Sequence, residues 1–221
     1  MNMNSGLLVK QKSLSAFYAR VYSLVSLAVG ISALTSLVYL YMMPQSIVYA
    51  MQNIIIIFMM LIIQICLATA ARFLRDSKWS IPIFVGYSGI NGFVLSIVIS
   101  KFTQGTVFAA LISSTLLFSV MALIGVIVKR DLSGILVLLI PLIIGVIIAS
   151  IVNWYLVSDM VSLVISYVSV VIFSCLVAYD NQKIKQAFYE NGYSDRSALD
   201  RAMALYLDLI NIFLDMLTIS K

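Results

Sequence analysis

The stretch RAMALYLDLINIFLDMLTISK, from Arg201 to Lys221, decides how the whole chain is read. It is apolar enough for a membrane, yet Arg201, Ala204, Asp208, Asn211, Asp215 and Thr218 recur at three- and four-residue steps. That period puts them on one helical face. Leu205, Leu207, Leu209, Ile210, Ile212, Phe213 and Leu217 cover most of the remaining circumference. A helix facing lipid does not carry such a stripe. Two placements are open, an amphipathic helix at the interface or a helix buried among others, and the breadth of the apolar surface favours burial.

Outward from this stretch the chain stays apolar. Of its 221 residues, 62% are hydrophobic and 10% charged, and the mean hydropathy is +1.08. A soluble core of this size cannot hide that much apolar surface, so the class is all-α, polytopic membrane protein. Six further stretches approach the roughly 20 residues that cross a bilayer: Val21–Met43, Ile54–Ala71, Ile81–Ser100, Thr106–Val128, Gly134–Tyr155 and Met160–Tyr179. Residues 1–14 read as a flexible cytoplasmic tail, and 15–221 as a single transmembrane domain. Val21–Met43 is too long for a signal-peptide core and lacks a small-residue cleavage site.

Charge sets the orientation. Lys10, Lys12 and Arg20 precede the first stretch, and Arg72, Arg75 and Lys78 follow the second. Lys129 and Arg130 follow the fourth, and Lys183, Lys185, Arg196 and Arg201 lie between the sixth and seventh. The opposite side offers Lys101 and, if the last stretch crosses, Lys221. This bias predicts a cytoplasmic N-terminus. The net charge of +5 is therefore a matter of topology, and no nucleic-acid partner is expected.

There is no histidine. Any proton-sensing or ion-handling chemistry therefore falls to carboxylates, because imidazole is missing. Cys66 and Cys175 lie inside apolar runs without a ligand-spaced partner and read as small apolar residues. Zinc, haem and Ser-His-Asp or Cys-His catalysis are excluded, so no cofactor is expected and no enzyme.

The chemistry-bearing candidates are acidic. Asp208 sits between Leu207 and Leu209, where an ionisable group is costly unless paired, protonated or wetted. Asp180 follows the sixth stretch and is either a solvated helix end or a working carboxylate. The short connection between the two stretches lets Asp180 and Asp208 face each other. Two carboxylates in one poorly solvated site share a proton and titrate as a coupled pair. The pair is then a pH sensor, and with both groups ionised it is a hard-oxygen site for a cation such as calcium. Asn211 and Asp215 extend the stripe. Gln64, Ala68, Arg72 and Arg75 share one face of the second stretch, and Arg72 or Arg75 lies at a depth where it can pair with Asp180. Gln64 and Asn91 are candidate pore-lining groups, although Asn91-Gly92 reads first as a small-residue packing seam.

The Phe17-Tyr-Ala-Arg-Val-Tyr lead-in, Asn91-Gly92, Tyr179-Asp-Asn-Gln-Lys-Ile-Lys and above all Ala204-Leu-Tyr-Leu-Asp-Leu-Ile-Asn-Ile-Phe-Leu resemble the Bax inhibitor-1 family in its bacterial form. The resemblance covers essentially the whole chain. It implies a seven-helix bundle whose last helix is central and wrapped by the other six, in a bacterial inner membrane. It also implies a pH-sensitive calcium leak with Asp180 and Asp208 as the paired aspartates and Arg72 or Arg75 as the latch. The chain departs from the family in offering only Gln64 where some members have an acidic residue in the second helix, and in carrying Asp215 at a position neutral in relatives. Two other functions are compatible with the pattern: a regulator that binds a membrane protease or another complex, and a proton-coupled cation antiporter.

Overall fold

The structure is a computed structural model that describes residues 3–44, 53–73 and 79–221, without the side chains of 3–12, 54, 57 and 72. Among the described residues there are seven helices and no strand. They are α1 (Met3–Met42), α2 (Ile54–Phe73), α3 (Ser80–Ile99), α4 (Gln104–Ile127), α5 (Ser133–Leu156), α6 (Asp159–Asn191) and α7 (Asp195–Ile219). Six of them are long and apolar enough to cross a membrane. α2 is a 20-residue apolar helix. The protein is an integral, multi-pass membrane protein, and its exposed Leu, Ile and Val side chains are those a bilayer covers.

Three boundaries differ from the sequence expectation. α1 already begins at Met3, so the segment expected to be a flexible tail is helical. Its Leu7, Leu8, Lys10, Gln11 and Lys12 are strong helix formers with no Pro among them. α6 continues eleven residues past Asp180, to Asn191. The polar run after Asp180 still places Asn181, Ile184 and Phe188 on one buried face, at helical spacing. Asp180 therefore sits within a helix and not at its end. α7 starts at Asp195, ahead of Arg201, because Ala198, Leu199 and Ala202 are also buried.

The described chain forms two compact units. One contains the chain up to Lys101 together with Asn191–Met203; the other contains Phe102–Glu190 and Ala204–Lys221.

In the first unit, α1 packs on α3 through small and hydroxylic residues. Ser32 Oγ donates to the Ser88 carbonyl at 2.8 Å and Ser36 Oγ to the Gly92 carbonyl at 2.6 Å. Such close approach needs Gly92, since a Cβ there would meet the Ser32 carbonyl oxygen and Thr35 Oγ1. Tyr39 and Phe93 meet edge to face at 6.3 Å. On α2 and α3, Gln64 Nε2 donates to Asn91 Oδ1 at 3.0 Å. Arg20 Nε reaches Asp195 Oδ1 at 2.9 Å, and Phe17 stacks edge-on against Tyr193 at 5.9 Å.

In the second unit, Leu139, Ile172 and Leu176 form a core between α5 and α6, with Leu136, Ile143, Val146 and Phe173 against it. Most of the rest of α5 is exposed, and Trp154 and Tyr155 lie ring to ring at its end. Asn153 closes the α5–α6 turn: its Oδ1 accepts from the Ser158 amide and its Nδ2 donates to Ser162 Oγ at 2.7 Å. Val157 in that turn has φ of 50°, left-handed backbone that a β-branched residue adopts only with strain. Its side chain is 83% exposed and contributes little packing. Val157→Asn is expected to stabilise the protein by about 1 kcal/mol, raising the unfolding midpoint roughly 2–4 °C in a thermal melt.

Candidate functional site

α6 and α7 bring the sequence-predicted carboxylates together. Asp208 on α7 is 5% exposed, and its carboxyl hydrogen-bonds with that of Asp180 on α6. Both belong to the second unit. The fold produces this because Leu205, Tyr206, Ile212 and Leu217 are fully buried around Asp208, which fixes the rotation of α7. A hydrogen bond between two carboxyl groups needs one shared proton, since two bare carboxylates only repel. Asp208 Oδ2 is buried and has no hydrogen-bond partner among the described residues.

The same two helices meet at two further levels. Ser166 and Ser169 of α6 lie beside the Asp215 carboxyl of α7. Lys221 Nζ lies 3.2 Å from Asp159 Oδ1. Position numbers on α6 rise as those on α7 fall, which is the register of an antiparallel pair. Asn211, between the two aspartate levels, turns its Nδ2 back to the Leu207 carbonyl at 2.8 Å. Thr218 Oγ1 likewise bonds to the Leu214 carbonyl of its own helix.

The Asp180 end of α6 is held firmly. Gln182 Nε2 donates to the carbonyls of Val128 and Arg130, while its Oε1 accepts from the Leu132 amide at 2.9 Å. Lys183 Nζ reaches Ser133 Oγ at 2.9 Å. Asp131 Oδ1 accepts from the Ser133 amide, and bonds to that residue's backbone and side chain hold the Asp131 carboxyl below its ordinary range. α4 presses on the same part of α6: a Cβ at Gly125 would meet the Ala178 carbonyl oxygen and lie 2.8 Å from Asn181 Cβ. These contacts fix the backbone on both sides of Asp180.

The remaining candidates fall elsewhere. Gln64 and Asn91 are buried and bonded to each other in the first unit. Arg72 lies on α2, but its side chain is outside the described residues, as is Arg75 altogether. Cys66 is exposed and Cys175 partly buried. No cluster of three His, Cys, Asp or Glu groups able to hold a metal occurs among the described residues. Sequence reasoning did not single out Ser166, Ser169, Gln182 or Gly125. The signal for the serines was present: Ser162, Ser166 and Ser169 share one face of the sixth stretch, matching the seven-residue step from Asp208 to Asp215.

Comparison with known proteins places this architecture. The family model described as inhibitor of apoptosis-promoting Bax1 matches residues 14–221. An uncharacterized membrane protein of Streptococcus pyogenes serotype M1 is 41% identical over 213 residues, covering 93% of this chain and 92% of its own. The uncharacterized protein YrjE of Lactococcus lactis is 33% identical over 213 residues, 94% of this chain and 91% of its own. The inner membrane protein YbhL of Escherichia coli K12 is 35% identical over 142 residues, 62% of this chain and 61% of its own.

Proposed function

The chain belongs to the Bax inhibitor-1 family, and from that membership together with its carboxyl pair we propose that it is a pH-sensitive cation leak, conducting calcium, and not an enzyme. The observation that carries the reading is the hydrogen-bonded contact of Asp180 and buried Asp208 between two helices. With one proton the pair is bonded and carries a single negative charge. Loss of that proton leaves two like charges in an apolar setting, which either part or take up a cation between their oxygens. Proton and hard cation thus compete for the same atoms, and Asp208 Oδ2 is the oxygen with capacity for the exchange. The Lys and Arg distribution supports a cytoplasmic N-terminus, which places the Asp180 end of α6 on the cytoplasmic side. A bacterial cell membrane is the setting, in keeping with the Escherichia coli relative's name.

The test is the pH dependence of calcium flux into proteoliposomes, measured between about pH 6 and pH 8, for a pair of carboxyl groups that share a proton. Asp208→Asn and Asp180→Asn each remove one titrating group while keeping the shape. Each is expected to flatten the pH response of the flux to less than about twofold across that range. A pH response equal to that of the unsubstituted protein in both variants sinks the proposal.

A further inference from the structure

The cations of the chain are not engaged evenly. Arg20, Lys183 and Lys221 have partners in Asp195, Ser133 and Asp159, and Arg196 and Arg201 also make contacts. Among the described side chains, Lys101, Lys129, Arg130 and Lys185 make no ion pair or hydrogen bond. Three of these four gather where α4 ends, α5 begins and α6 passes. Lys129 and Arg130 are neighbours in the α4–α5 loop, and Lys185 stands on α6 three residues, about one turn, beyond Gln182. All three are exposed.

One side chain of α6 holds the loop that carries two of them. Gln182 Nε2 donates to the Val128 carbonyl at 3.2 Å and to the Arg130 carbonyl at 2.8 Å, and Oε1 accepts from the Leu132 amide at 2.9 Å. The backbone around Lys129 and Arg130 is therefore ordered before anything binds. A ligand that meets an ordered site escapes the cost of ordering it. The one nearby acid, Asp131, is turned toward α5, where it accepts from the Ser133 amide at 2.9 Å. Lys183, on Ser133 Oγ, adds a further positive charge. Within residues 128–133 and 182–185 there are four cations and one carboxylate. That excess suits an anion.

What lies next to those charges selects the anion. Leu123 and Ile127 at the end of α4 are 61% and 72% exposed, and Val137 and Leu138 near the start of α5 are 71% and 68% exposed. The loop joins two helices long and apolar enough to cross the membrane, so it stands at headgroup level. Cations set directly against exposed apolar side chains match a molecule with an anionic head and acyl chains. A soluble anion or an acidic protein segment would use only the charged part. Arg130 also brings a guanidinium, whose fork suits a phosphate. We propose that the α4–α5 loop, ordered by Gln182 and carrying Lys129 and Arg130 beside Lys185, binds the headgroup of an anionic phospholipid. The site lies wholly within the second unit and needs neither the carboxyl pair nor calcium conduction.

The experiment is a thermal-unfolding titration of the purified full-length protein in an uncharged detergent. The probes are dioleoylphosphatidylglycerol, dioleoylphosphatidylcholine, inorganic phosphate and polyglutamate. A ligand that binds only the folded state raises the midpoint with its concentration. Phosphatidylglycerol is expected to do this, and the other three are not. The double variant Lys129→Gln/Arg130→Gln changes only exposed side chains, and its apparent affinity for phosphatidylglycerol is expected to fall at least about tenfold. Gln182→Ala keeps every cation and is expected to weaken binding by releasing the loop. Lys101→Gln, which removes an exposed cation at the α3–α4 turn, is expected to leave the effect unchanged. The proposal is overturned if phosphatidylcholine equals phosphatidylglycerol, or if phosphate or polyglutamate gives the Lys129- and Arg130-dependent shift in its place. It is equally overturned if the double variant or Gln182→Ala binds phosphatidylglycerol as the unsubstituted protein does, or if Lys101→Gln loses as much affinity as the double variant.

Discussion

Gly125→Val is expected to be the most disruptive single substitution for the aspartate pair, although residue 125 touches neither carboxyl. A Cβ at this position meets the Ala178 carbonyl oxygen, Asn181 Cβ at 2.8 Å and the Ala178 carbonyl carbon at 3.0 Å. Two of the three are backbone atoms of α6, which cannot rotate away as a flexible side chain can. α4 and α6 must separate instead. Overpacking of this kind costs about 1–3 kcal/mol in well-packed interiors. With a midpoint shift of about 2–4 °C per kcal/mol for a chain of this length, the melt should fall by roughly 2–12 °C. The functional effect is expected to be larger than the stability loss suggests, because Ala178 and Asn181 flank Asp180 in sequence. Displacing that turn opens the contact with Asp208. Calcium flux by Gly125→Val should therefore lose pH dependence as Asp208→Asn does, while Gly105→Ala, whose nearest contact is Thr103 Oγ1 at 3.9 Å, serves as the silent control. A folded Gly125→Val protein with intact pH response would show that α4 does not position the pair.

Gly92→Val should produce the largest fall in stability of the first unit. Here the added carbon meets Thr35 Oγ1 and the Ser32 carbonyl oxygen, and it lies 2.8 Å from Ser32 Cα. Moving α3 away also stretches Ser36 Oγ to the Gly92 carbonyl and Ser32 Oγ to the Ser88 carbonyl, both between helices. Interhelical hydrogen bonds in membranes average about 0.6 kcal/mol each and reach about 1.7. Added to the overpacking term, the total is roughly 2–6 kcal/mol. The measurement is the yield of folded protein after detergent extraction, with the melt of whatever fraction survives. Replacing Thr35 by Ala in the same protein removes one of the obstructing atoms and should restore only part of the loss, because the Ser32 backbone remains.

The carboxylate pair was legible because Asp208 breaks an apolar helix in a pattern that only a buried polar face explains. Membrane class and helix number followed from composition and stretch length. The position of Asp180 within a helix was not legible: the residues after it are polar on most of their circumference, and the buried stripe of Asn181, Ile184 and Phe188 is too thin to outweigh them by eye. The helical start at Met3 escaped for a related reason, since a short polar lead-in carries no apolar period to mark it. Ser166 and Ser169 were hidden by chemistry, because a serine in an apolar helix ordinarily bonds to its own backbone, as Ser32 and Ser88 do. Gly125 and Gly92 take their meaning from a partner helix, which no local pattern supplies. Gln182 is similar, since its three bonds reach residues fifty or more positions earlier.

α5 carries a consequence for where the protein can work. Apart from the stripe of Leu136, Leu139, Ile143 and Val146 that packs on α6, its apolar surface is offered to acyl chains. From Ser133 to the aromatic pair at Trp154 and Tyr155 the helix rises about 31–33 Å, close to the roughly 30 Å of a bilayer's hydrocarbon core. Aromatic rings of this kind settle at the headgroup level. α5 is thereby a depth gauge with a fixed upper stop, joined through the Asn153 turn to the helix that carries Ser166, Ser169 and Asp180. Lipids of longer or shorter chains, by tilting that gauge, would be felt at the oxygens of α6.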